Sequence, residues 1–314
     1  MSKKNRFEKK GWTPEQLDSL LGKTYVITGA TSGAGFEATR ILLSKGAKVV
    51  MLNRNSKKSK LTISMLKEEF GNDVKASFIN MDLASLSSVR EAASIIIDEV
   101  PYIDALMCNA AIAQVATQKF TQDGFESQLG VNHLGHFLLC GLLFERIEES
   151  KGRIVVVGSN GYKMGEKRIK FEDFNFDEKY TPWASYAQSK LGQMMFAYEL
   201  QRRIKKLNKK VQVQVCHPGA SRTNLIQDTA GPIQKRLWAV LSIFAQSAER
   251  GAWPEVMCAT EDNLEDARYY GPTRFEMVGP VGECKLHDCA LDKVMAVKLW
   301  ELSEEKTGFK WSLE

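Results

Sequence analysis

Short apolar runs alternate with amphipathic stretches along most of this chain. The apolar runs cover residues 23–28, 48–52, 74–79, 103–108, 153–158 and 211–216, and a weaker one covers 267–270. Each run holds four to six mostly β-branched or bulky residues without strict polar alternation, which is typical of strands covered on both faces. Helical periodicity is found between and after these runs, at 35–45, 57–70, 85–100, 121–146, 186–207 and 247–259.

This order of elements predicts an α/β protein with a doubly wound Rossmann fold. Strand–helix–strand units with right-handed crossovers build a central parallel sheet, here of seven strands, with helices on both faces. Ligands of such sheets bind in the crevice outside the carboxyl ends of the strands. We therefore expect the functional residues to follow strands directly in the sequence.

Composition excludes several classes of protein. The 314 residues are 44% hydrophobic and 26% charged, as in an ordinary globular chain. No apolar stretch approaches the roughly 18 residues of a membrane span. No apolar segment follows the charged first residues, as it would in a secretory signal. We expect a cytoplasmic protein without a membrane span, folded as one domain over residues 1–314, because no shift in composition marks a linker.

A net charge of +5 and six cysteines raise the questions of nucleic-acid and metal binding. The cationic run 202–210 closes an amphipathic helix and has no interleaved aromatic residues, which favours a solvated face over a nucleic-acid track. Cys284 and Cys289 flank His287, but no second ligand pair stands at a zinc-finger spacing. We expect no nucleic-acid partner and no bound metal.

A glycine-rich turn lies between the first predicted strand and the first predicted helix, with Gly29, Gly33 and Gly35. A dinucleotide pyrophosphate needs bare backbone, free N–H groups and the positive end of a helix dipole at this point. Such a turn alone is often only a tight connection. Its position at the start of an alternating βα chain predicts a dinucleotide site.

The residues after the second predicted strand indicate which dinucleotide binds. An acidic residue there would accept both ribose hydroxyls of NAD, whereas a cation favours the 2′-phosphate of NADP. This chain has Arg54, followed by Lys57 and Lys58, and no acid. The alternative is an exposed cationic helix start, which the helix dipole disfavours. The sequence predicts NADP(H) in preference to NAD(H).

A tyrosine and a lysine share one face of a predicted helix. Tyr186 and Lys190 are four residues apart in SYAQSKLGQMM. An ammonium beside a phenol favours the phenolate, so we expect Lys190 to lower the pKa of Tyr186 and make it a usable acid or base. Ser159 directly follows the run 153–158 and can bond a substrate oxygen. By itself this spacing is common among surface and core residues.

Taken in order, these motifs resemble the short-chain dehydrogenase/reductase superfamily. The matching pieces are TGATSGAG (28–35), MDLAS (81–85), CNAA (108–111), VNHLGHF (131–137), VVVGS (155–159), YAQSK (186–190) and HPGASRT (217–223). The 27-residue step from Ser159 to Tyr186 and the VNHLGHF run resemble the branch of retinol dehydrogenases, protochlorophyllide reductases and WW-domain oxidoreductases. Ala34 and Ala111 depart from the family's usual bulky apolar residue and glycine.

The resemblance implies a role for each matching residue. Tyr186 would be the general acid or base, Lys190 would tune it and bind the nicotinamide ribose, and Ser159 would orient the substrate carbonyl. Asn132 would hold the water of a proton relay to Lys190. The pyrophosphate of the cofactor would bind at Gly29, Ser32, Gly33, Ala34 and Gly35, and its 2′-phosphate at Arg54. The adenine would contact Asp82 and Leu83, and the adenosine ribose would lie near Asn109 and Ala110. The nicotinamide would contact Pro218, Gly219 and Thr223.

The resemblance thus implies an NADP-dependent oxidoreductase that moves a hydride between nicotinamide and a carbonyl or alcohol carbon of a small, hydrophobic molecule. Two alternatives are a light-driven reductase of the protochlorophyllide type and a non-catalytic NADP-sensing protein. Within the domain we expect an N-terminal arm (1–21), a cofactor-binding and catalytic core (22–223), a substrate lid (224–253) and a C-terminal extension (271–314). Homo-oligomerisation through helix faces is a habit of the superfamily.

Overall fold

An eight-stranded sheet forms the centre of the computed structural model, which describes residues 10–220 and 246–313. The strands are β1 (Thr24–Thr28), β2 (Lys48–Asn53), β3 (Ala76–Asn80), β4 (Ala105–Cys108), β5 (Arg153–Val157), β6 (Gln212–Cys216), β7 (Tyr270–Arg274) and β8 (Val278–Glu283). They lie in the order β3-β2-β1-β4-β5-β6-β7-β8, parallel from β1 to β7. The predicted α/β Rossmann fold is confirmed, and the strand order reverses between β1 and β4, the switch point where such sheets bind ligands.

Helices cover both faces of the sheet because both faces of each inner strand are apolar. The helices are α1 (Gly33–Ser44), α2 (Ser56–Phe70), α3 (Leu86–Glu99), α4 (Gly135–Glu149), α5 (Pro182–Lys206), α6 (Ala248–Thr260) and α7 (Lys293–Thr307). Val26 of β1 packs with α3, α4 and α5, whereas its neighbours Tyr25 and Ile27 pack with α1, α2 and α6. Alternate side chains therefore build two cores.

The antiparallel strand β8 adds to the seven predicted strands. Its sequence VGPVGE contains two glycines and a proline, which are poor strand formers and occur mainly at sheet edges. It forms by pairing with β7, with Tyr270 opposite Glu283. The backbone N–H of Trp12 donates to the Val281 carbonyl oxygen at 3.0 Å, and the Trp12 side chain is fully buried. Part of the predicted N-terminal arm thus packs against this edge.

The segment that leads into α4 is not a regular α-helix. Ser127–Leu129 forms one helical turn, and Gly130–Leu134 forms a π-helical turn before α4 begins. Single π-helical turns of this kind are frequent at functional sites. The turn contains Asn132, one of the predicted site residues.

A cluster of aromatic side chains joins α7 and the residues after it to α4 and α5. Trp300 and Trp311 have ring centroids 5.0 Å apart, and both lie within 6 Å of the rings of Phe137 and Phe196. A Cβ atom at Gly141 would lie 2.3 Å from the Phe309 ring, so this position of α4 leaves no room for a side chain. Within the two described ranges, no helix is both long and apolar enough to cross a membrane.

Candidate active site

The glycine-rich turn between β1 and α1 is shaped by close backbone packing. Gly29 and Gly33 have φ angles of +72° and +60°, in the region that favours glycine. At Gly35 a Cβ atom would lie 2.4 Å from Asn109 Nδ2 and 2.7 Å from the Gly29 carbonyl oxygen. Ser32 caps α1 without a side-chain bond, so its hydroxyl is available to a ligand. The bare N-terminus of α1 fits a pyrophosphate.

Two asparagines support this turn. Asn109 Nδ2 donates to the carbonyl oxygens of Thr28 and Gly29 at 2.8 and 3.1 Å. Asn53 Oδ1, at the end of β2, accepts from the Ala30 N–H at 2.8 Å. The contact of Asn109 with the adenosine ribose stays a prediction, whereas its support of the turn is observed. Sequence reasoning missed Asn53, whose signal is a polar residue at the end of a buried strand.

The residues predicted for the adenosine side follow β2 and β3. Arg54 is exposed directly after β2, and Lys57 and Lys58 are exposed in the first turn of α2. Asp82 Oδ1 accepts from the Ala84 N–H at 2.9 Å. Leu83 is buried against α4, where a Cβ atom at residue 135 would lie 2.7 Å from its carbonyl oxygen. Because β3, β2 and β1 are neighbours, these residues lie on the same side of the crevice.

The hydroxyl groups of Tyr186 and Ser159 are brought together at the end of β5. Tyr186 lies in the second turn of α5, which begins at Pro182 and is capped by Thr181. Its side chain is buried, and burial raises the pKa of its phenol above the ordinary value, while a hydrogen bond with Ser159 opposes the rise. Ser159 Oγ also accepts from the Gly161 N–H at 3.1 Å. The phenol is therefore neutral at neutral pH.

The prediction that Lys190 lowers the pKa of Tyr186 is wrong, because that pKa is raised. Lys190 Nζ donates to the Val157 carbonyl oxygen at 3.0 Å and to Gln193 Oε1 at 2.8 Å. Burial lowers the pKa of Lys190 to about 7, so its positive charge is itself destabilised. Lys190 is directed at the end of β5, and burial dominates the pKa of Tyr186. Gln193, three residues further along α5, was missed in the sequence.

Asn132 joins three elements through its side-chain amide. Its Oδ1 accepts from the Ile112 N–H and its Nδ2 donates to the Ile112 carbonyl oxygen, both at 2.9 Å. Its Nδ2 also donates to Ser189 Oγ at 2.9 Å. The amide thus ties the loop after β4 to the π-helical turn and to α5, one residue before Lys190. The water relay between Asn132 and Lys190 stays a prediction.

A buried histidine of the VNHLGHF run connects this turn to β1. His136 Nδ1 lies 3.0 Å from the Asn132 carbonyl oxygen, and its Nε2 lies 2.9 Å from Thr28 Oγ1. Thr28 Oγ1 in turn accepts from the Ala110 N–H at 2.9 Å. Burial lowers the pKa of His136 to about 4, so the ring is neutral. Ala110 therefore has a structural contact with the end of β1.

Glu126 is a second buried group that the sequence did not single out. Its Oε1 accepts from the Gln128 N–H at 3.0 Å and from the Ser127 hydroxyl at 3.2 Å. Its Oε2 accepts from the Leu129 N–H at 2.9 Å and from the hydroxyl of Ser185, which precedes Tyr186. Four hydrogen bonds to one carboxylate fix the start of the π-helical segment against the start of α5.

The nicotinamide side of the predicted site is described only in part. Pro218 and Gly219 follow β6, and Gly219 has a φ of +65°. A Cβ atom at Gly219 would lie 2.3 Å from the Met277 carbonyl oxygen. Thr223 lies outside the described residues, as does most of the predicted lid. Because β1, β4, β5 and β6 are adjacent, the glycine-rich turn, Ser159 and Pro218 share one edge of the sheet.

Comparison with known proteins agrees with this arrangement. The family described as short chain dehydrogenase matches residues 23–171. Retinol dehydrogenase 14 of Mus musculus is 38% identical over 301 residues, covering 91% of this chain and 86% of the relative. Retinol dehydrogenase 12 of Homo sapiens is 33% identical over 295 residues, covering 93% and 88%. A crystal structure of an uncharacterized protein from Mycobacterium paratuberculosis has a TM-score of 0.79 at 36% identity and covers 96% of this chain and 100% of that one.

Proposed function

The chain belongs to the short-chain dehydrogenase/reductase family, in its retinol dehydrogenase branch, and we propose that it uses NADP(H) to interconvert a hydrophobic alcohol and its carbonyl compound. That it is an NAD(P)-dependent oxidoreductase acting on alcohol or carbonyl groups follows from the family. The observation that carries the proposal is the meeting of Tyr186 and Ser159 at the sheet edge that also holds the glycine-rich turn.

The preference for NADP(H) is supported by the end of β2. Asn53, the last residue of β2, is buried and its Oδ1 is used by the Ala30 N–H, so no carboxylate is offered there to ribose hydroxyls. The next residue is the exposed Arg54, and its guanidinium can pair with a phosphate dianion in a planar, two-bond geometry. Lys57 and Lys58 add positive charge in the next turn.

The proton chemistry is assigned to Tyr186. When bound, the nicotinamide supplies or accepts the hydride. Charge develops on the substrate oxygen during that transfer, and the neutral phenol of Tyr186 donates a proton to it in the direction of carbonyl reduction. Ser159 donates a hydrogen bond to the same oxygen. Lys190 lies one helical turn further along α5, and burial lowers its pKa to about 7.

A hydrophobic substrate is supported by exposed apolar side chains on the segments that follow Ser159, precede Tyr186 and form the β7–β8 hairpin. Trp183 has its ring centroid 6.0 Å from that of Tyr186 and is 39% exposed. Met164, in the turn after Ser159, is 61% exposed, and Phe275 and Met277 at the tip of the β7–β8 hairpin are also exposed. Asn160 Nδ2 donates to the Glu276 carbonyl oxygen at 2.8 Å, which holds this tip over the turn. An apolar molecule would cover these side chains.

Fluorescence titration with NADPH and NADH tests the cofactor. We expect Arg54→Glu to raise the Kd for NADPH by about tenfold or more and to leave that for NADH unchanged. Lys60→Glu, an exposed lysine on α2, is the matched control and should change neither value by a similar amount. Equal NADPH affinity in the parent chain and Arg54→Glu would contradict the preference.

A screen of apolar aldehydes and ketones with NADPH tests the chemistry. On the best substrate, Tyr186→Phe should lower kcat by about 100-fold or more and leave the Kd for NADPH unchanged. Tyr102→Phe, at a tyrosine that is 66% exposed, controls for loss of a hydroxyl. A Tyr186→Phe protein with parental kcat would remove the role given to Tyr186.

A further inference from the structure

His217 lies directly after β6 and is enclosed on every side. Its imidazole is 1% exposed and stacks on Tyr269, with ring centroids 4.6 Å apart and an interplanar angle of 28°. Its backbone N–H donates to the Tyr270 carbonyl oxygen at 2.9 Å. A Cβ atom at Gly271 would lie 2.1 Å from His217 Nε2. Glycine at 271 is therefore required for the ring to fit.

Both ring nitrogens have partners, and these partners define the tautomer. Nδ1 accepts from the Gly219 N–H at 3.2 Å, so the ring proton is on Nε2, which lies 3.4 Å from Cys284 Sγ. The Cys284 thiol donates onward to the Pro272 carbonyl oxygen at 3.5 Å. Burial lowers the pKa of His217 to about 3 and raises that of Cys284 to about 12, so both groups are neutral. The hydrogen bonds thus form a chain in which Gly219 donates to His217, His217 donates to Cys284, and Cys284 donates to Pro272.

The turn 218–220, whose Gly219 N–H donates to His217, has further hydrogen bonds on its other side. The Ala220 N–H donates to the Met277 carbonyl oxygen at 2.8 Å, at the tip of the β7–β8 hairpin. Gln246 Nε2 donates to the Pro218 carbonyl oxygen at 2.8 Å. Gly219 has a positive φ, and these contacts hold the turn 218–220 in the conformation observed. The His217 side chain connects this turn, through Cys284, to Pro272 of β7.

We propose that His217 is a positioning residue that fixes the turn 218–220 for the nicotinamide half of the cofactor, through its bonds to Gly219 and Cys284. The inference rests on the proposed function, since it takes the turn after β6 as the nicotinamide contact. His217 does not touch the reacting atoms and exchanges no proton. Its effect is geometric, because a turn displaced from its place misaligns the hydride donor and acceptor.

Two substitutions separate the ring's two hydrogen bonds. In His217→Asn, the side-chain oxygen takes the place of Nδ1 and can accept from the N–H two residues on, as asparagine does in turns. In His217→Gln, the longer side chain takes the place of Nε2, reaches Cys284 and leaves the Gly219 N–H unpaired. Both variants lose the stack on Tyr269, so a comparison between them cancels the loss of the ring.

The test measures the Kd for NADPH and, as a probe without nicotinamide, for adenosine 2′,5′-bisphosphate. We expect His217→Gln to raise the Kd for NADPH by about tenfold relative to His217→Asn, the effect of one lost hydrogen bond. Binding of the bisphosphate should be equal in the two variants. Equal NADPH affinity in both, or a parallel loss of bisphosphate binding, overturns the inference. A parent chain that binds neither nucleotide instead overturns the proposed function.

A second measurement needs no variant at His217. Nitrogen-15 NMR of the parent chain should show His217 protonated at Nε2 and free of titration between about pH 5.5 and 8, since its burial keeps the ring neutral. A proton on Nδ1 or a normal titration would contradict the bond to Gly219. Cys284→Ala should also raise the Kd for NADPH, whereas Cys258→Ala, another buried thiol, should not. Equal effects of the two substitutions would overturn the part given to the contact between His217 and Cys284.

Discussion

Replacing Glu255 with glutamine should stabilise the protein more at pH 8 than at pH 5. Glu255 lies in the middle of α6, is 1% exposed, and neither of its carboxylate oxygens has a hydrogen-bond partner among the described residues. Burial raises its pKa to about 8. A carboxyl group with this pKa is protonated in the folded protein at neutral pH, whereas in the unfolded chain it ionises near its ordinary value.

The sign follows from proton uptake. Between the unfolded and folded pKa values the folded state binds more protons, so raising the pH through this window lowers the free energy of unfolding. From pH 5 to pH 8 the parent chain should lose about 3.5 kcal/mol at most through this group. Water that reaches the ionised group reduces the loss. The amide of glutamine does not titrate, so the variant escapes this loss.

Urea denaturation of the parent chain and Glu255→Gln at pH 5, 6, 7 and 8 measures the effect. The difference in free energy of unfolding between the two proteins should rise over this range in favour of the variant and level off above pH 8. Glu249→Gln, an exposed glutamate in the first turn of α6, is the matched control and should show no such rise. A difference that is the same at pH 5 and pH 8 would refute the reasoning.

Three further substitutions test other parts of the structure. Gly35→Ala forces a Cβ atom against Asn109 and should lower the free energy of unfolding by about 1 to 3 kcal/mol and weaken NADPH binding, both absent if the turn has room. Glu126→Gln loses up to two charged hydrogen bonds and should cost about 2 to 4 kcal/mol in urea denaturation; a cost below about 0.5 kcal/mol would contradict the four-bond geometry. Trp311→Ala should cost about 3 to 5 kcal/mol, well above the cost of Trp183→Ala at its more exposed site, and equal costs would argue against the aromatic cluster.

The strands that could be predicted are those whose own residues are apolar enough to require burial. β1, β2 and β5 are continuous apolar runs, so any sheet that buries them satisfies the pattern. β8 could not be predicted in this way, because its glycines and Pro280 form a strand only once β7 offers an edge to pair with. Local sequence does not contain that partner.

The candidate site shows the same division. Ser159 and Tyr186 could be placed at one site, because Ser159 follows a strand and Tyr186 shares a helix face with Lys190. The direction of the Lys190 ammonium could not be predicted, since its acceptors are the backbone oxygen of Val157 and the side-chain amide of Gln193. The supports from Glu126 and His136 were equally hidden, because a buried carboxylate or imidazole is identified only by the groups that surround it.

The segment 293–313 has a consequence for how copies of this chain can associate. It packs against α4 and α5 through the rings of Trp300 and Trp311, which contact Phe137 and Phe196. A second copy could pair through this face of the two helices only if the segment moved away and its aromatic contacts were lost. Any self-association of the intact fold would have to use other surfaces, and deletion of the segment would expose an apolar face.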